Sequence, residues 1–224
     1  MAGRKFPTLR VERLCWEAGD HIVCGIDEVG RGSWAGPVTV AAVVPPNSHL
    51  TGVRDSKMLL PVERERCAKR VRNWAAAIGV GHASHQECDE LGMTGALRAA
   101  GNRALDELAA QGFVPDRIVL DGNHDYFGLG ARVKTIVKGD ASVLSVAAAS
   151  VVAKVTRDAL MAAEAEHFPA YGFESNRGYP APVHKYALAA YGPCAIHRRS
   201  WIFMENLPWS GIRREDRSLR LFTT

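Results

Sequence analysis

The chain has 224 residues, of which 47% are hydrophobic and 23% charged, so it is long enough to bury a core and we predict one main domain. Its formal charge of +4 is compatible with an anionic partner, and its five scattered cysteines include no C-x-x-C pair, which argues against a disulfide framework or a zinc site. No apolar run is long enough to span a bilayer. We therefore expect a cytoplasmic monomer with no membrane contact.

The hydrophobic pattern predicts strands that alternate with helices. A first strand covers 22–24 and leads to Glu28, and a second strand at 37–44 pairs with it antiparallel through the turn at 30–36. The later predicted elements are a helix at 61–74, a strand at 75–83, a helix at 86–111 interrupted near 92–95, strands at 117–120 and 132–137, and helices at 141–167 and 184–190. A hairpin followed by this alternation favours a mixed α/β sheet covered by helices on both faces.

Two adjacent carboxylates, Asp27 and Glu28, come after the first apolar strand and before a glycine-flanked arginine, Arg31. Ionised carboxylates on a strand buried on both faces are costly unless a cation compensates them, and a divalent metal is the natural candidate. Gly30 and Gly32 let the backbone approach a ligand closely. We interpret the segment as a loop that grips a nucleic-acid backbone beside a metal site; the alternative is a plain strand end with turn glycines.

Strand geometry places a condition on this interpretation. Successive side chains of a strand point to opposite faces, so Asp27 and Glu28 cannot both face one site from a regular strand. We therefore expect the strand to end or bulge at Glu28, close to Gly30.

Two further acids, Asp121 and Asp140, follow the predicted strands at 117–120 and 132–137. Ligand sites in open α/β sheets gather at such strand ends, and four converging carboxylates would repel one another without cations between them. Two Mg²⁺ or Mn²⁺ ions about 3.5–4 Å apart would satisfy them and support an in-line displacement at phosphorus. The alternatives are that Asp140 caps the next helix and that Asp121 is a turn residue.

Six segments of the chain resemble, in order, the bacterial ribonuclease HII family, whose members cleave RNA strands paired with DNA. They are GIDEVGRGSWAGPV at 25–38, DSK at 55–57, LDGN at 120–123, KGDASVLSVAAASVVAKVTRD at 138–158, GYPAPVH at 178–184 and HRRSW at 197–201. Several of these segments are long and unusual, and together they cover roughly residues 22–205. The chain departs from the family at Ala181, where a threonine is common, and at Ser142, near which a lysine is common.

The resemblance implies an α/β ribonuclease H-like fold, with a mixed five-stranded sheet flanked by helices and a small C-terminal helical appendage. It implies an endoribonuclease that hydrolyses the RNA strand of RNA–DNA hybrids and cuts 5′ of ribonucleotides embedded in duplex DNA, leaving 5′-phosphate and 3′-hydroxyl ends. The chain would divide into an N-terminal extension (1–20), a catalytic domain (21–167), a helical substrate-contacting region (168–210) and a basic tail (211–224).

The resemblance also implies residue roles. The residues that match the family's catalytic and metal-binding acids are Asp27, Glu28, Asp121 and Asp140. Those that match the loop whose backbone contacts the ribose 2′-hydroxyl are Gly30, Arg31 and Gly32, and Tyr179 matches the tyrosine that stacks on the adjoining deoxyribose. The residues implied as phosphate contacts or supports are Ser56, Lys57, Lys154, His184 and Arg198. Two of these have an ordinary alternative, because Lys154 could be a solvated helix residue and His184 a helix cap.

Two other functions remain open at this point. One is the activity of the sister type III enzymes, which normally carry an extra N-terminal substrate-binding domain; the two dozen residues before the first strand are too few for one. The other is a non-catalytic hybrid-binding protein. The segment 218–222 also resembles the peptide by which bacterial replication proteins dock on the sliding clamp, but its leading glutamine is absent and a disordered basic tail is the favoured interpretation.

Overall fold

The protein is represented by a computed structural model that describes residues 6–53, 59–201 and 204. Its strands are β1 (Val23–Val29), β2 (Val38–Val44), β3 (Ala77–Ala83), β4 (Arg117–Asp121) and β5 (Val133–Ile136). Its helices are α1 (Arg10–Glu17), α2 (Pro61–Trp74), α3 (His85–Ala110), α4 (Leu144–His167), α5 (Phe173–Asn176) and α6 (Pro182–Tyr191).

The five strands form one mixed sheet in the order β3-β2-β1-β4-β5. β1, β2 and β3 pair antiparallel, whereas β4 and β5 continue the sheet parallel to β1. The short turn between β1 and β2 permits the antiparallel hairpin, and the parallel pairs need the longer crossovers that the helices supply. The predicted fold class is thus confirmed, and the carboxyl ends of β1 and β4 lie at the same edge of the sheet.

Glycines allow the helices to pack against the sheet at very short range. A Cβ atom at Gly25 of β1 would lie 2.3 Å from the carbonyl carbon of Ser145 in α4. On the other face, a Cβ atom at Gly81 of β3 would lie 1.9 Å from the carbonyl oxygen of Ala100 in α3. Helix α4 therefore covers one face and α3 the other, with apolar side chains of β1 and β4 buried between them.

The structure refines several predicted boundaries. Helix α1 was not predicted; it buries Glu12, whose Oε1 accepts a hydrogen bond from the backbone N–H of Ser145 at the start of α4. The predicted interruption of the long third helix is confirmed at Gly92, which has φ 68° and ψ 169°. Helix α4 begins at Leu144, three residues later than predicted, because a 3₁₀ turn occupies Gly139–Ala141.

The C-terminal elements pack onto the turn between β1 and β2. A buried cluster joins Ala35 of this turn to Met161 of α4, Phe173 of α5 and Leu188 of α6. The backbone N–H groups of Trp34 and Ala35 both donate to the carbonyl oxygen of Gly178. This packing of the C-terminal elements fixes the position of the turn between β1 and β2.

No helix in the described part of the chain is both long and apolar enough to cross a bilayer.

Candidate active site

Strand β1 runs without interruption through the acidic pair. Its register with β2 continues through Glu28↔Val40 to Val29↔Thr39, so the predicted end or bulge at Glu28 is wrong. The hairpin partner holds β1 extended after its pairing with β4 has ended at Ile26. Asp27 and Glu28 therefore leave the strand toward opposite faces.

Asp27 is buried on the face covered by α4, with 6% of its surface exposed. Its side chain hydrogen-bonds Ser150 of α4, and its Oδ1 accepts from the backbone N–H of Glu28 at 2.8 Å. Burial raises the pKa of Asp27 well above its usual range, and the negative charges of Glu28 and Asp121 raise this pKa further. A cation near Asp27 would offset all three effects.

Glu28 reaches the same region from the opposite face. One carboxylate oxygen lies 3.7 Å from Nη1 of Arg31. The hydroxyl of Tyr126, wholly buried on that face, has a pKa raised first by burial and then by the charges of Glu28, Asp27 and Asp121. Glu28, Asp27 and Asp121 thus all raise the pKa of the Tyr126 hydroxyl, although Asp27 and Glu28 lie on opposite faces of β1.

A short hydrogen bond joins the segments that carry Asp121 and Asp140. Asp121 is the last residue of β4, and its Oδ1 accepts from the backbone N–H of Gly139 at 2.7 Å. Asp140 follows in the same 3₁₀ turn and is buried. Because α4 starts at Leu144 with Val143 as its N-cap, the alternative that Asp140 caps this helix is wrong.

The donor set of the four acids suits hard divalent cations. Within the described residues, no three histidine, cysteine or acidic side chains already stand in the arrangement of a metal cage. The carboxylate oxygens are nevertheless the ligands that Mg²⁺ and Mn²⁺ prefer, and the raised pKa of Asp27 reflects a burial and repulsion that such ions would relieve.

The turn after β1 is fixed by close contacts at its glycines. Gly30 has φ 92°, and a Cβ atom there would lie 2.3 Å from Nε of Arg157. Its backbone N–H donates to the hydroxyl of Tyr179 at 3.1 Å. Gly32 is exposed, with the Tyr179 ring 4.0 Å from its ideal Cβ position, and the Arg31 side chain is 62% exposed. The predicted loop and the predicted tyrosine are therefore in direct contact.

Two wholly buried arginines, Arg157 and Arg198, hold this turn in place, and only Arg198 was predicted as a site residue. Arg157 of α4 donates to the carbonyl oxygens of Pro37, Ala35 and Arg177 and to Oγ of Ser33. Arg198 donates to the carbonyl oxygens of Gly36 and Arg31. Burial lowers the pKa of both guanidinium groups, that of Arg157 to about 10. Arg157 was not predicted as a site residue; the one sequence signal that could have found it is a charged side chain within a largely apolar helix.

His184 is also wholly buried and belongs to a chain of hydrogen bonds. Its Nδ1 lies 2.9 Å from the carbonyl oxygen of Tyr179, and its Nε2 lies 2.9 Å from Nε2 of His197. Because a carbonyl only accepts, His184 carries its proton on Nδ1 and accepts from His197 through Nε2. His197 Nδ1 then accepts from the backbone N–H of Cys194. Of the two predicted roles, phosphate contact and support, this burial favours support for His184 and for Arg198.

The remaining predicted contacts have different outcomes. Lys154 is part-buried on α4 and pairs with Asp158 at 2.7 Å, so it is not a simple solvated helix residue. Burial lowers the pKa of its ammonium group. Ser56 and Lys57 lie outside the described residues.

Comparison with known proteins gives the family. The sequence model described as ribonuclease HII matches residues 24–204. A ribonuclease HII of Streptomyces avermitilis is 47% identical over 215 residues, covering 93% of this chain and 89% of that protein. A ribonuclease HII of Synechococcus is 44% identical over 206 residues, covering 90% of each. This chain belongs to the ribonuclease HII family.

Solved structures of ribonucleases H resemble the fold of this ribonuclease HII family member. The ribonuclease HII of Archaeoglobus fulgidus, solved as a complex with PCNA, matches with a TM-score of 0.67 and 26% identity, covering 85% of this chain and 98% of that one. The ribonuclease H2 of Pyrococcus horikoshii matches with a TM-score of 0.63 and 27% identity, covering 84% and 97%. The chain is thus a ribonuclease H-type hydrolase.

Proposed function

We propose that this ribonuclease HII family member hydrolyses the RNA strand of RNA–DNA hybrids and incises duplex DNA on the 5′ side of embedded ribonucleotides, leaving 5′-phosphate and 3′-hydroxyl ends. One observation carries the proposal: buried Asp27, with Glu28 and Asp121 raising its pKa, lies three residues before Gly30, whose amide contacts Tyr179. The proposed phosphodiester-cutting site and the proposed sugar-reading site are therefore neighbours in the chain.

Asp27, Glu28, Asp121 and Asp140 would hold two Mg²⁺ or Mn²⁺ ions. When bound, such ions activate water and stabilise the leaving oxygen in phosphodiester hydrolysis. The acids come from β1, from the end of β4 and from the turn before α4, so the protein itself positions the ligands on three connected segments.

Gly30, Arg31, Gly32 and Tyr179 would recognise the sugar at the RNA-to-DNA step. Gly32 is exposed beside the Tyr179 ring, so its backbone can approach a ribose without a side chain in the way. The 2′-hydroxyl both donates and accepts hydrogen bonds, and it is the group that separates RNA from DNA. The contact between Gly30 and the Tyr179 hydroxyl sets the distance between the two recognition elements.

The experiment is to map the cut in a DNA duplex that contains one ribonucleotide, with Mg²⁺ or Mn²⁺ present and an all-DNA duplex as the control. We expect a single incision on the 5′ side of the ribonucleotide and no cut in the control. A type III activity predicts little cleavage of this substrate, and a pure hybrid-binding protein predicts none. Either of these two results would contradict the proposal.

A contact with a sliding clamp is a separate proposal about partners. The solved complex of the Archaeoglobus fulgidus relative with PCNA and the clamp-peptide resemblance at 218–222 support it, although these residues lie outside the described part of the chain. Pull-down by a bacterial clamp should weaken when the last seven residues are removed. Equal capture with and without them would dispose of the proposal. The cytoplasmic location and the monomeric state stay predictions.

A further inference from the structure

Arg177 occupies a backbone conformation that favours glycine. It is the residue that follows α5, with φ 54° and ψ 30°, and it is one of two non-glycine residues with positive φ in the described chain. Glycine is the usual residue at such a helix end because a Cβ atom is strained there. The chain carries an arginine at this position despite that strain, which points to a use for its side chain.

The described part of the protein makes little use of this side chain. Within residues 6–53, 59–201 and 204, the Arg177 guanidinium makes two long contacts, at 3.9 Å to Oδ2 of Asp158 and at 3.5 Å to the carbonyl oxygen of Phe173. The side chain is 25% exposed. Both distances exceed those of a strong charge-assisted hydrogen bond, so the guanidinium keeps most of its donors for another acceptor.

Among the described side chains that contact Asp158, the cations outnumber this one anion. Asp158 also accepts from Lys154 at 2.7 Å and lies 3.4 Å from Nη1 of Arg64, so cations from α2, α4 and the end of α5 share one carboxylate. Arg157, whose hydrogen-bond acceptors in the described chain are all uncharged, adds a further cation. A concentration of cations of this kind attracts anions.

The excess charge lies beside the predicted sugar contact. Nζ of Lys154 is 6.0 Å and Cζ of Arg157 is 5.5 Å from the centre of the Tyr179 ring. Arg177 is two residues from Tyr179, and its carbonyl oxygen accepts from Nη1 of Arg157. In a polynucleotide each sugar is bonded to a phosphate on either side, so a sugar held against Tyr179 brings a phosphodiester close to these cations.

We propose that Arg177 and Lys154 form a phosphodiester-binding subsite beside Tyr179. When no nucleic acid is bound, the carboxylate of Asp158 contacts both of these side chains. The ligand is a backbone phosphate of the bound duplex, contacted without regard to base sequence. The inference rests on the proposed function, because the proposed function places a sugar of the substrate against Tyr179. The phosphate bonded to that sugar is the proposed ligand of the subsite.

The test compares Arg177→Gly with Arg177→Lys. Glycine relieves the backbone strain and removes the charge, whereas lysine keeps both. Binding of a fluorescein-labelled RNA–DNA hybrid is measured in EDTA over a series of salt concentrations, together with the melting temperature. We expect Arg177→Gly to weaken binding about three- to tenfold and to lower the slope of log K against log salt by about 0.9, with an unchanged or higher melting temperature. Arg177→Lys should retain the slope.

A structural role for Arg177 predicts the opposite pattern. Arg177→Gly would then lower the melting temperature and leave the salt slope unchanged, which would overturn the proposal. Arg103→Gln is the matched control, because it removes an ion-paired arginine on α3, on the other face of the sheet, and should not change the slope. Binding in EDTA does not depend on cleavage, so failure of the cut-mapping experiment and failure of this one are distinguishable.

Asp158→Asn gives a second test with a definite sign. It removes the anion that competes with a phosphate for Lys154 and Arg177, so hybrid affinity should rise about two- to threefold. Reduced affinity in a variant with a normal melting temperature would contradict the proposed exchange.

Discussion

At the residue scale, the main feature of the site is a carboxylate that is expensive to keep charged. Asp27 is buried beside Ser150 and near the charges of Glu28 and Asp121, so its ionised form is disfavoured without a cation. Because burial disfavours the charged form, an aspartate in the core of a sheet normally destabilises the folded state. Its place at the edge where β1 and β4 end suits the proposed role of a metal ligand.

Asp27→Asn should abolish turnover while leaving the fold and the hybrid-binding surface in place. Asparagine has nearly the same shape but lacks the charge that the proposed metal site requires, so we expect cleavage to fall about a thousandfold or more. Steady-state cleavage and hybrid binding in EDTA measure the two effects separately. Turnover close to that of the unmodified protein would refute the metal assignment.

His197 predicts how stability depends on pH. Burial lowers its pKa to about 3, and the neighbouring His184, Arg199 and His85 also disfavour a proton on it. In the unfolded chain His197 takes up a proton below its ordinary pKa of about 6.5. The contribution of neutral His197 to folding stability is therefore fully present above pH 6.5 and is lost as the pH decreases toward 3. At pH 5 the loss from His197 is about 2 kcal/mol, and His184, whose pKa burial also lowers, adds to it.

Urea unfolding at pH 7 and pH 5 measures this loss. His197→Gln can still donate to Nε2 of His184 but takes up no proton, so the difference between the two pH values should shrink. His49→Gln, at an exposed position, is the control and should leave the difference unchanged. If His197→Gln has the same pH dependence as the unmodified protein, His197 is not the titrating group.

At the element scale, the close approach of helices to the sheet decides which of the segments that carry the acids lie next to each other. Helix α4 lies against β1 at Gly25 and supplies Ser150 to Asp27, while the 3₁₀ turn before α4 carries Asp140 to the end of β4. Helix α3 makes an equally close contact with β3 at Gly81, but on the opposite face. Both contacts stabilise the fold, and only the first one adjoins the site.

Gly25→Ala and Gly81→Ala should therefore separate stability from activity. Each Cβ atom would overlap backbone atoms of a helix, so we expect each variant to lose about 3 kcal/mol of unfolding free energy. At a temperature where both remain folded, Gly81→Ala should cleave at the normal rate and Gly25→Ala should not, because it displaces α4 from Asp27. Equal activity in the two variants would show that α4 does not position this acid.

At the scale of the whole molecule, the proposed metal site joins segments that are distant in sequence. Its acids lie on β1, on β4 and in the turn before α4, which are otherwise connected by the sheet register and by the hydrogen bond from Gly139 to Asp121. Ions bound among them would link these segments and relieve the repulsion that raises the pKa of Asp27. Metal binding should therefore stabilise the entire fold.

Mg²⁺ at a hundred times its dissociation constant should raise the free energy of unfolding by about 2.7 kcal/mol relative to EDTA. The shift in melting temperature between EDTA and a Mg²⁺ titration measures it at constant ionic strength. Asp27→Asn is the matched variant, and its shift should be much smaller. An equal shift in both proteins would place the stabilising ion elsewhere.

Much of this arrangement follows from local sequence. Hydrophobic periodicity gave the strands and long helices, and the carboxylates after apolar strands indicated a metal site, because burial preferences and strand spacing act over a few residues. Neither helix α1 nor the role of Arg157 was predicted from the sequence. Each depends on a partner far along the chain, Ser145 for Glu12 of α1 and the β1–β2 turn for Arg157.

Sequence by itself determined the family resemblance, the strand and helix pattern and the chemical identity of the acids. Only the packed structure shows that β1 stays regular through Glu28, that His184 and Arg198 are buried, and that Arg177 and Lys154 contact the same carboxylate of Asp158. The physical reason is that residue type and periodicity are local properties, whereas burial, register and shared charge arise only when distant segments pack together.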